Sequence, residues 1–271
     1  MTEYPTVLTI AGSDSSGGAG IQADIKTMSA IGVYAAAAIT AVTAQNTLGV
    51  TAVQGIDPDI VARQIDAVFD DIRPDAVKIG MLYSRDIVEA VADRFRHWNP
   101  ENVVLDPVMI STSGSPLIEE DAVEAIKEKL FPFATLLTPN RMEAEHLTGI
   151  TVDSIETARE AARRIVETGC RAALVKGGHL DGDVAADVLF ADAECHVYSS
   201  RRVLSRNTHG TGCTLSSAIA SFLALGFPLD IAVHHAKNYL QNALVAGADV
   251  VAGGGHGPVN HFFNPEKLKT K

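Results

Sequence analysis

Short apolar runs, each closed by glycine, serine, asparagine or proline, recur along this chain and alternate with longer segments whose apolar residues fall three or four apart. The run Thr6-Val7-Leu8-Thr9-Ile10-Ala11 ends in Gly12-Ser13-Asp14-Ser15-Ser16-Gly17-Gly18, which predicts a buried strand entering a Gly/Ser loop. Ile21, Ile25, Met28 and Ile31 then mark one face of a helix. Segments 33–43 and 50–56 are rich in β-formers and meet through Asn46-Thr47-Leu48-Gly49, the pattern of a hairpin. Pro58 opens a helix that carries Ile60, Val61, Ile65, Val68 and Phe69.

From there strand and helix take turns. Strands are expected at 76–80, 103–106, 135–137 and 172–176, and helices at 85–97, 119–130, 141–147 and 154–168. Segments 184–190 and 195–198 read as an antiparallel pair, and two Ala-rich helices follow at 211–225 and 230–246. This alternation predicts an α/β fold with a doubly wound, mostly parallel sheet and helices on both faces. No Pro/Ser-rich linker or repeat interrupts it, so residues 1–271 are expected to form a single domain. The hairpin near the start breaks the alternation and is expected to stand off the sheet as a small β flap.

Composition agrees with this layout. Apolar residues make up 46% but aromatics only 6%, so Ala, Val, Ile and Leu must build the core, as in central strands covered on both faces. Thirty-three acids against 22 bases leave a net charge of −11, which argues against nucleic acid or an anionic membrane as partner. The stretch 33–42 is too short to span a bilayer, and residues 1–5 do not resemble a signal peptide. Cys170, Cys195 and Cys213 form neither a disulfide framework nor a C-x-x-C pair, pointing to a reducing, cytoplasmic setting.

In a doubly wound sheet, ligands bind outside the carboxyl ends of the strands. That places Gly12–Gly20, Gly80-Met81, Asp106-Pro107-Val108, Pro139-Asn140 and Lys176-Gly177-Gly178-His179 where chemistry is expected. His209-Gly210-Thr211-Gly212-Cys213-Thr214 runs into Leu215, Ala218, Ile219 and Phe222 at helical spacing. Glycines at a helix start let free N–H groups approach an anion, so this turn reads as an anion hole. A thiol there is expected to have a lowered pKa. The bland alternative is a glycine-rich turn beside a buried cysteine.

Lys176 at a strand end is placed to neutralise a phosphoryl group, although a surface lysine fits the position equally. Asp106, Asn140 and Glu143 supply the oxygen ligands that Mg²⁺ prefers. Asn140 and Glu143 also have the N-x-x-E spacing of a capping box. Gly12 and Gly17 have Walker A spacing without the Lys-Ser/Thr, and Leu215 stands where a dinucleotide fingerprint wants its third glycine. A cysteine hydrolase would pair His209 with Cys213, but no acid nearby in the chain orients that histidine. None of the nine histidines forms an i, i+4 pair around a glutamate, so zinc is not expected.

Taken together, 11–24, Asp106-Pro107-Val108-Met109, Thr138-Pro139-Asn140, Lys176-Gly177-Gly178-His179 and His209-Gly210-Thr211-Gly212-Cys213-Thr214 closely resemble the hydroxymethylpyrimidine/phosphomethylpyrimidine kinases of thiamin synthesis, a branch of the ribokinase-like superfamily. The motifs occur in the family's order over most of the chain. The resemblance implies ATP and Mg²⁺ as co-substrate and cofactor, and two phosphorylations: 4-amino-5-hydroxymethyl-2-methylpyrimidine at its hydroxyl, then the monophosphate to the diphosphate. It implies that Gly12, Asp24, Gln45, Met81 and Val108 serve the pyrimidine. Asp106, Asn140, Lys176, Thr208, Gly210 and Gly212 would serve ATP and its phosphates, with Asp106 and Glu143 toward the metal. Gly210, Thr211, Gly212 and Lys176 would act in transfer, with Cys213 as base where sugar kinases of this fold carry aspartate. It also implies a homodimer. Pyridoxine or pyridoxal, likewise a planar methylated ring with a hydroxymethyl arm, is the alternative substrate, alone or alongside the pyrimidine.

Overall fold

The structure is a computed structural model that describes residues 2–109, 117–177 and 183–271. Gly178 and His179 of the expected strand-end motif lie outside the described residues. The strands are β1 (Thr6–Asp14), β2 (Tyr34–Asn46), β3 (Gly49–Gly55), β4 (Ala76–Ile79), β5 (Val103–Leu105), β6 (Leu136–Leu137), β7 (Ala172–Val175), β8 (Val184–Ala191) and β9 (Glu194–Arg201). The helices are α1 (Gly20–Ile31), α2 (Pro58–Asp71), α3 (Arg85–Trp98), α4 (Glu120–Lys129), α5 (Arg141–Thr148), α6 (Ile155–Val166), α7 (Thr211–Ala224) and α8 (Leu229–Gly247).

Among the described residues, all nine strands join one sheet in the order β3-β2-β1-β4-β5-β6-β7-β8-β9. The run from β2 to β7 is parallel, while β3, β8 and β9 add antiparallel edges. Strand alternation sorts the side chains into two cores. Leu8, Ile10, Val77, Ile79, Val103 and Leu105 meet α2, α3, α4 and α6 on one face. Val7, Ala76, Val104 and Leu136 meet α1, α7 and α8 on the other. Both faces of the central strands are thus dry, which explains their unbroken apolar runs.

The hairpin is only half a flap. Residues 34–39 of β2 lie in parallel register with residues 6–11 of β1, so the strand belongs to the main sheet there. Its far half, 41–46, pairs with β3; within it Val42 and Thr43 still pair with Ser13 and Asp14 of β1, and 44–46 run on beyond β1. The flap tip is docked: His256 N–H donates to the Thr47 carbonyl at 3.0 Å and Gly255 N–H to Thr47 Oγ1 at 3.1 Å.

Strand order reverses at β1, which has β2 on one side and β4 on the other. Such a switch point opens a crevice beyond the strands' carboxyl ends. At the opposite edge, Lys271 N–H donates to the Glu3 carbonyl, and Glu266 and Lys269 N–H groups bond Ala30 and Gly32 carbonyls, each at 2.8 Å.

Candidate active site

Three strand ends and one helix start converge at the crevice. Lys176 follows β7 and bridges to Asn140 in parallel fashion, its N–H donating to the Pro139 carbonyl at 2.9 Å. Its ammonium donates to Asp106 Oδ1 at 2.7 Å, and Thr138 Oγ1 donates to the same oxygen at 3.1 Å. Lys176 is therefore not a surface lysine: its side chain is 14% exposed. Burial pulls its pKa down, but the Asp106 and Glu143 carboxylates outweigh that and hold it above the usual lysine value.

Across from this pair α7 begins at Gly210, whose φ of 79° lies in the left-handed region. A β-carbon on Gly210 would sit 1.8 Å from the Gly18 carbonyl oxygen, so only glycine fits. A β-carbon on Gly212 would meet Asp106 Oδ2 and Lys176 Nζ, each at 3.4 Å. The missing side chain leaves a space between the helix's first amides and the Lys–Asp pair. Early N–H groups of a helix have no carbonyl a turn behind them and carry partial positive charge. Thr208 caps the turn by accepting from Thr211 N–H at 3.3 Å.

The expected thiolate is not found. Burial pushes the Cys213 thiol up to about 11, and the Asp24 and Asp106 carboxylates add to this against Lys78. Cys213 is thus protonated at neutral pH, because burial disfavours the thiolate more than Lys78 favours it. His209 is not among the groups acting on it. The oriented acid absent from the local sequence does exist: His209 Nε2 lies 2.8 Å from Asp14 Oδ2. That nitrogen is spent on the carboxylate, so no Cys–His pair forms.

The Asn140–Glu143 spacing closes as a capping box: Glu143 N–H donates to Asn140 Oδ1 at 3.0 Å, and Asn140 N–H to Glu143 Oε2 at 2.7 Å. Glu143 is buried, and burial raises its pKa to about 7 against the pull of Lys176. Among the described residues no group of three His, Cys, Asp or Glu side chains could cage a metal.

At the carboxyl ends of β1 and β4, Gly12 approaches Met81 so closely that a β-carbon would lie 3.0 Å from its Sδ. Thr40 Oγ1 holds the Met81 carbonyl at 2.6 Å. Gln45, on the outer half of β2, receives Thr43 Oγ1 at 3.0 Å and lies 3.4 Å from His209. Val108 is half-buried two residues beyond Asp106.

Asp24 is fully buried behind the turn rather than open to the crevice. Lys78 donates to its Oδ2 at 2.9 Å and Thr9 at 2.6 Å, while Ser217 donates to Oδ1 at 2.5 Å. Lys78 itself is fully buried. Neither this pair nor Asp14–His209 was anticipated from sequence. A lysine inside a strand dry on both faces was a usable signal, since such a charge must have a partner. The Gly/Ser loop is no phosphate cradle, because Asp14 already takes its donors. Oδ1 accepts from Ser16 N–H at 2.8 Å, and Oδ2 from Gly18 and Ala19 N–H at 3.1 and 2.8 Å.

This sheet and crevice are those of a ribokinase-like α/β kinase. The model of the phosphomethylpyrimidine kinase family matches residues 14–260, and the chain belongs to that family. It is 52% identical over 257 residues to a hydroxymethylpyrimidine/phosphomethylpyrimidine kinase of Rhizobium meliloti, covering 94% of this chain and 96% of that one. It is 49% identical over 266 residues to the thiamine biosynthesis bifunctional protein ThiED of Geobacter sulfurreducens, covering 98% of this chain but only 54% of the longer relative. Among solved structures, a phosphomethylpyrimidine kinase from Clostridium difficile 630 matches at 47% identity and a TM-score of 0.79, over 88% of this chain and 99% of that one. An ADP complex of Bacillus subtilis pyridoxal kinase matches at 36% and 0.86, over 94% and 96%. Among the described residues no helix is long and apolar enough to cross a membrane.

Proposed function

We propose that residues 1–271 act as one kinase domain that transfers the γ-phosphate of ATP to the hydroxyl of 4-amino-5-hydroxymethyl-2-methylpyrimidine, and then a second phosphate to the monophosphate. The observation that carries this reading is the space left by Gly212, facing the Asp106–Lys176 pair at the start of α7. Gly210 and Gly212 turn amides toward a transferring phosphoryl group, the Thr211 N–H being held by the Thr208 carbonyl, and the Lys176 ammonium offsets its charge. Such transfer needs little covalent help from protein and much positioning and charge stabilisation.

Asp106 Oδ2 faces this space and Glu143 adjoins Lys176, so the two carboxylates fit a Mg²⁺ that keeps waters and phosphate oxygens as its other ligands. Bound there, Mg²⁺ would neutralise charge on the phosphates. Asn140 and Thr208 shape the nucleotide side. Gly12, Met81, Gln45 and Val108 border the ring, and Asp24 acts from behind through Lys78 and Ser217. Cys213 lines the site as a neutral thiol and would accept the hydroxyl proton only from its minor thiolate form. The acidic surface and the reducing environment suited to free thiols favour a cytoplasmic enzyme, and the family resemblance favours a homodimer.

The test is incubation with Mg-ATP and each candidate ring, following products by mass. Mono- and diphosphate of the pyrimidine are expected. Transfer to pyridoxal and not to the pyrimidine would replace this reading with the pyridoxal kinase one.

A further inference from the structure

Lys176 faces the phosphoryl space with its ammonium tied to Asp106, but the direction in which its side chain leaves the sheet is set by its backbone. β7 and β8 run antiparallel, and their last register pair is Val175 with Val188. Lys176 N–H turns to the Pro139 carbonyl, on the β6 side, at 2.9 Å. By strand alternation the next N–H, that of Gly177, points toward β8. There it meets a side chain rather than a strand carbonyl: it donates to Asp187 Oδ1 at 2.9 Å.

Asp187 interrupts the apolar run of β8 and is buried. Its other oxygen, Oδ2, accepts from Lys237 Nζ of α8 at 2.6 Å, and the same ammonium donates to the Ala185 carbonyl at 3.1 Å. Lys237 is buried as well. Taking two charges out of water carries a large desolvation cost, which apolar residues of the same volume would avoid. What an apolar pair could not do is bond the buried Gly177 N–H and the Ala185 carbonyl, and a buried N–H needs an acceptor.

We propose that Asp187 is a positioning residue for the transfer. It pins the Gly177 amide so that Lys176 leaves β7 aimed at the phosphoryl space, and Lys237 holds the Asp187 carboxylate in that pose. The proposal rests on the kinase reading above. Both residues act through Lys176, so loss of the anchor lowers kcat and leaves ring binding in place.

Two paired variants isolate the contact. Asp187→Asn/Lys237→Met removes both charges but keeps a carbonyl oxygen for the Gly177 N–H. Asp187→Leu/Lys237→Met removes the acceptor as well. Steady-state turnover with Mg-ATP and the pyrimidine is measured for each pair, beside urea unfolding, alone and combined with Lys176→Ala. Slow product in the Lys176→Ala background is accumulated over hours and read by mass. The pair without an acceptor should lose roughly 10²-fold in kcat, with KM for the pyrimidine within about threefold, since small displacements at a reaction centre cost this much. The pair that keeps the acceptor should stay within about fivefold of wild type, because a neutral replacement of a buried ion pair is well tolerated. In the Lys176→Ala background the two pairs should turn over alike, because the contact works through that lysine. Two results overturn the proposal: a folded acceptor-free pair less than about tenfold below the acceptor-keeping pair, or the same gap persisting without Lys176. If the acceptor-free pair does not fold, Asp187→Ala/Lys237→Met takes its place with the same outcomes. A wild-type chain that phosphorylates neither ring removes the kinase reading and the proposal with it, whereas one that phosphorylates only pyridoxal moves the same series to that ring.

Discussion

Replacing Gly210 by alanine separates two costs that a glycine at a helix start usually hides. The first is conformational: at φ 79° an alanine loses about 1 kcal/mol relative to glycine. The second is steric. The new β-carbon would lie 1.8 Å from the Gly18 carbonyl oxygen, whereas real contacts of this kind stay beyond 3.0 Å. The loop or the helix start must therefore give by roughly 1 Å, enough to cost about 10²-fold in rate at a site built on positioning.

Gly149 supplies the control. It has φ 72° at the end of α5, with nothing within 4 Å of its would-be β-carbon, so alanine there carries the first cost alone. Gly149→Ala should lower Tm by about 2–4 °C and leave kcat unchanged. Gly212→Ala is the converse: at 3.4 Å from Asp106 and Lys176 it should fold normally, yet lose about 10²-fold in kcat because a methyl group enters the phosphoryl space. The assay is thermal unfolding beside steady-state turnover with Mg-ATP and the pyrimidine. A folded Gly210→Ala with kcat within threefold of wild type, or a Gly149→Ala as inactive as Gly210→Ala, would refute the reasoning.

Three further outcomes are expected. Lys78→Met leaves the fully buried Asp24 without its cation and should destabilise by about 3–5 kcal/mol in urea unfolding, whereas Lys78→Met/Asp24→Leu should recover much of the loss. Asp14 is pushed up by burial, but hydrogen bonds from His209, Ser16 and Ala19 outweigh this and hold it at about 2, below the ordinary aspartate value of 3.8. Its contribution, about 2 kcal/mol, is present above pH 3.8 and lost as pH falls toward 2, so urea unfolding should show Asp14→Asn destabilised at pH 7 and little different from wild type near pH 2. At pH 7 the Cys213 thiol is protonated in all but about one molecule in 10⁴. Iodoacetamide should label it far more slowly than the exposed Cys195, and Cys213→Ser should cut turnover by roughly 10²–10⁴ if the minor thiolate takes the hydroxyl proton. Unchanged turnover would leave transfer to the helix start and Lys176 alone.

What the chain reveals on its own is the part written in local periodicity. The continuous apolar runs that became β1, β4, β5, β6 and β7, and the helix faces that repeat every three to four residues between them, needed no partner to be recognised. The anion-hole turn was legible for the same reason, since glycines directly before a helical apolar stripe are a local signal. The clamps behind the site were not. Asp14 meets His209 across 195 residues and Asp24 meets Lys78 across 54, and nothing in the spacing of either residue names the other. Asp24 illustrates the difference: a family motif marks the position, but only the packing shows both its oxygens turned inward. The reach of β2 was also misjudged, because its Ala-rich first half carries no sign of which neighbour it pairs with until β1 is beside it.

The chain ends meet on the edge of the sheet away from the crevice, where Lys271 bonds to Glu3 and the last residues run along the end of α1. The same closeness makes the fold a near-closed loop, so joining the ends with a short linker and cutting it at an exposed turn such as Asp192–Ala193 should yield a permuted enzyme with its catalytic geometry intact.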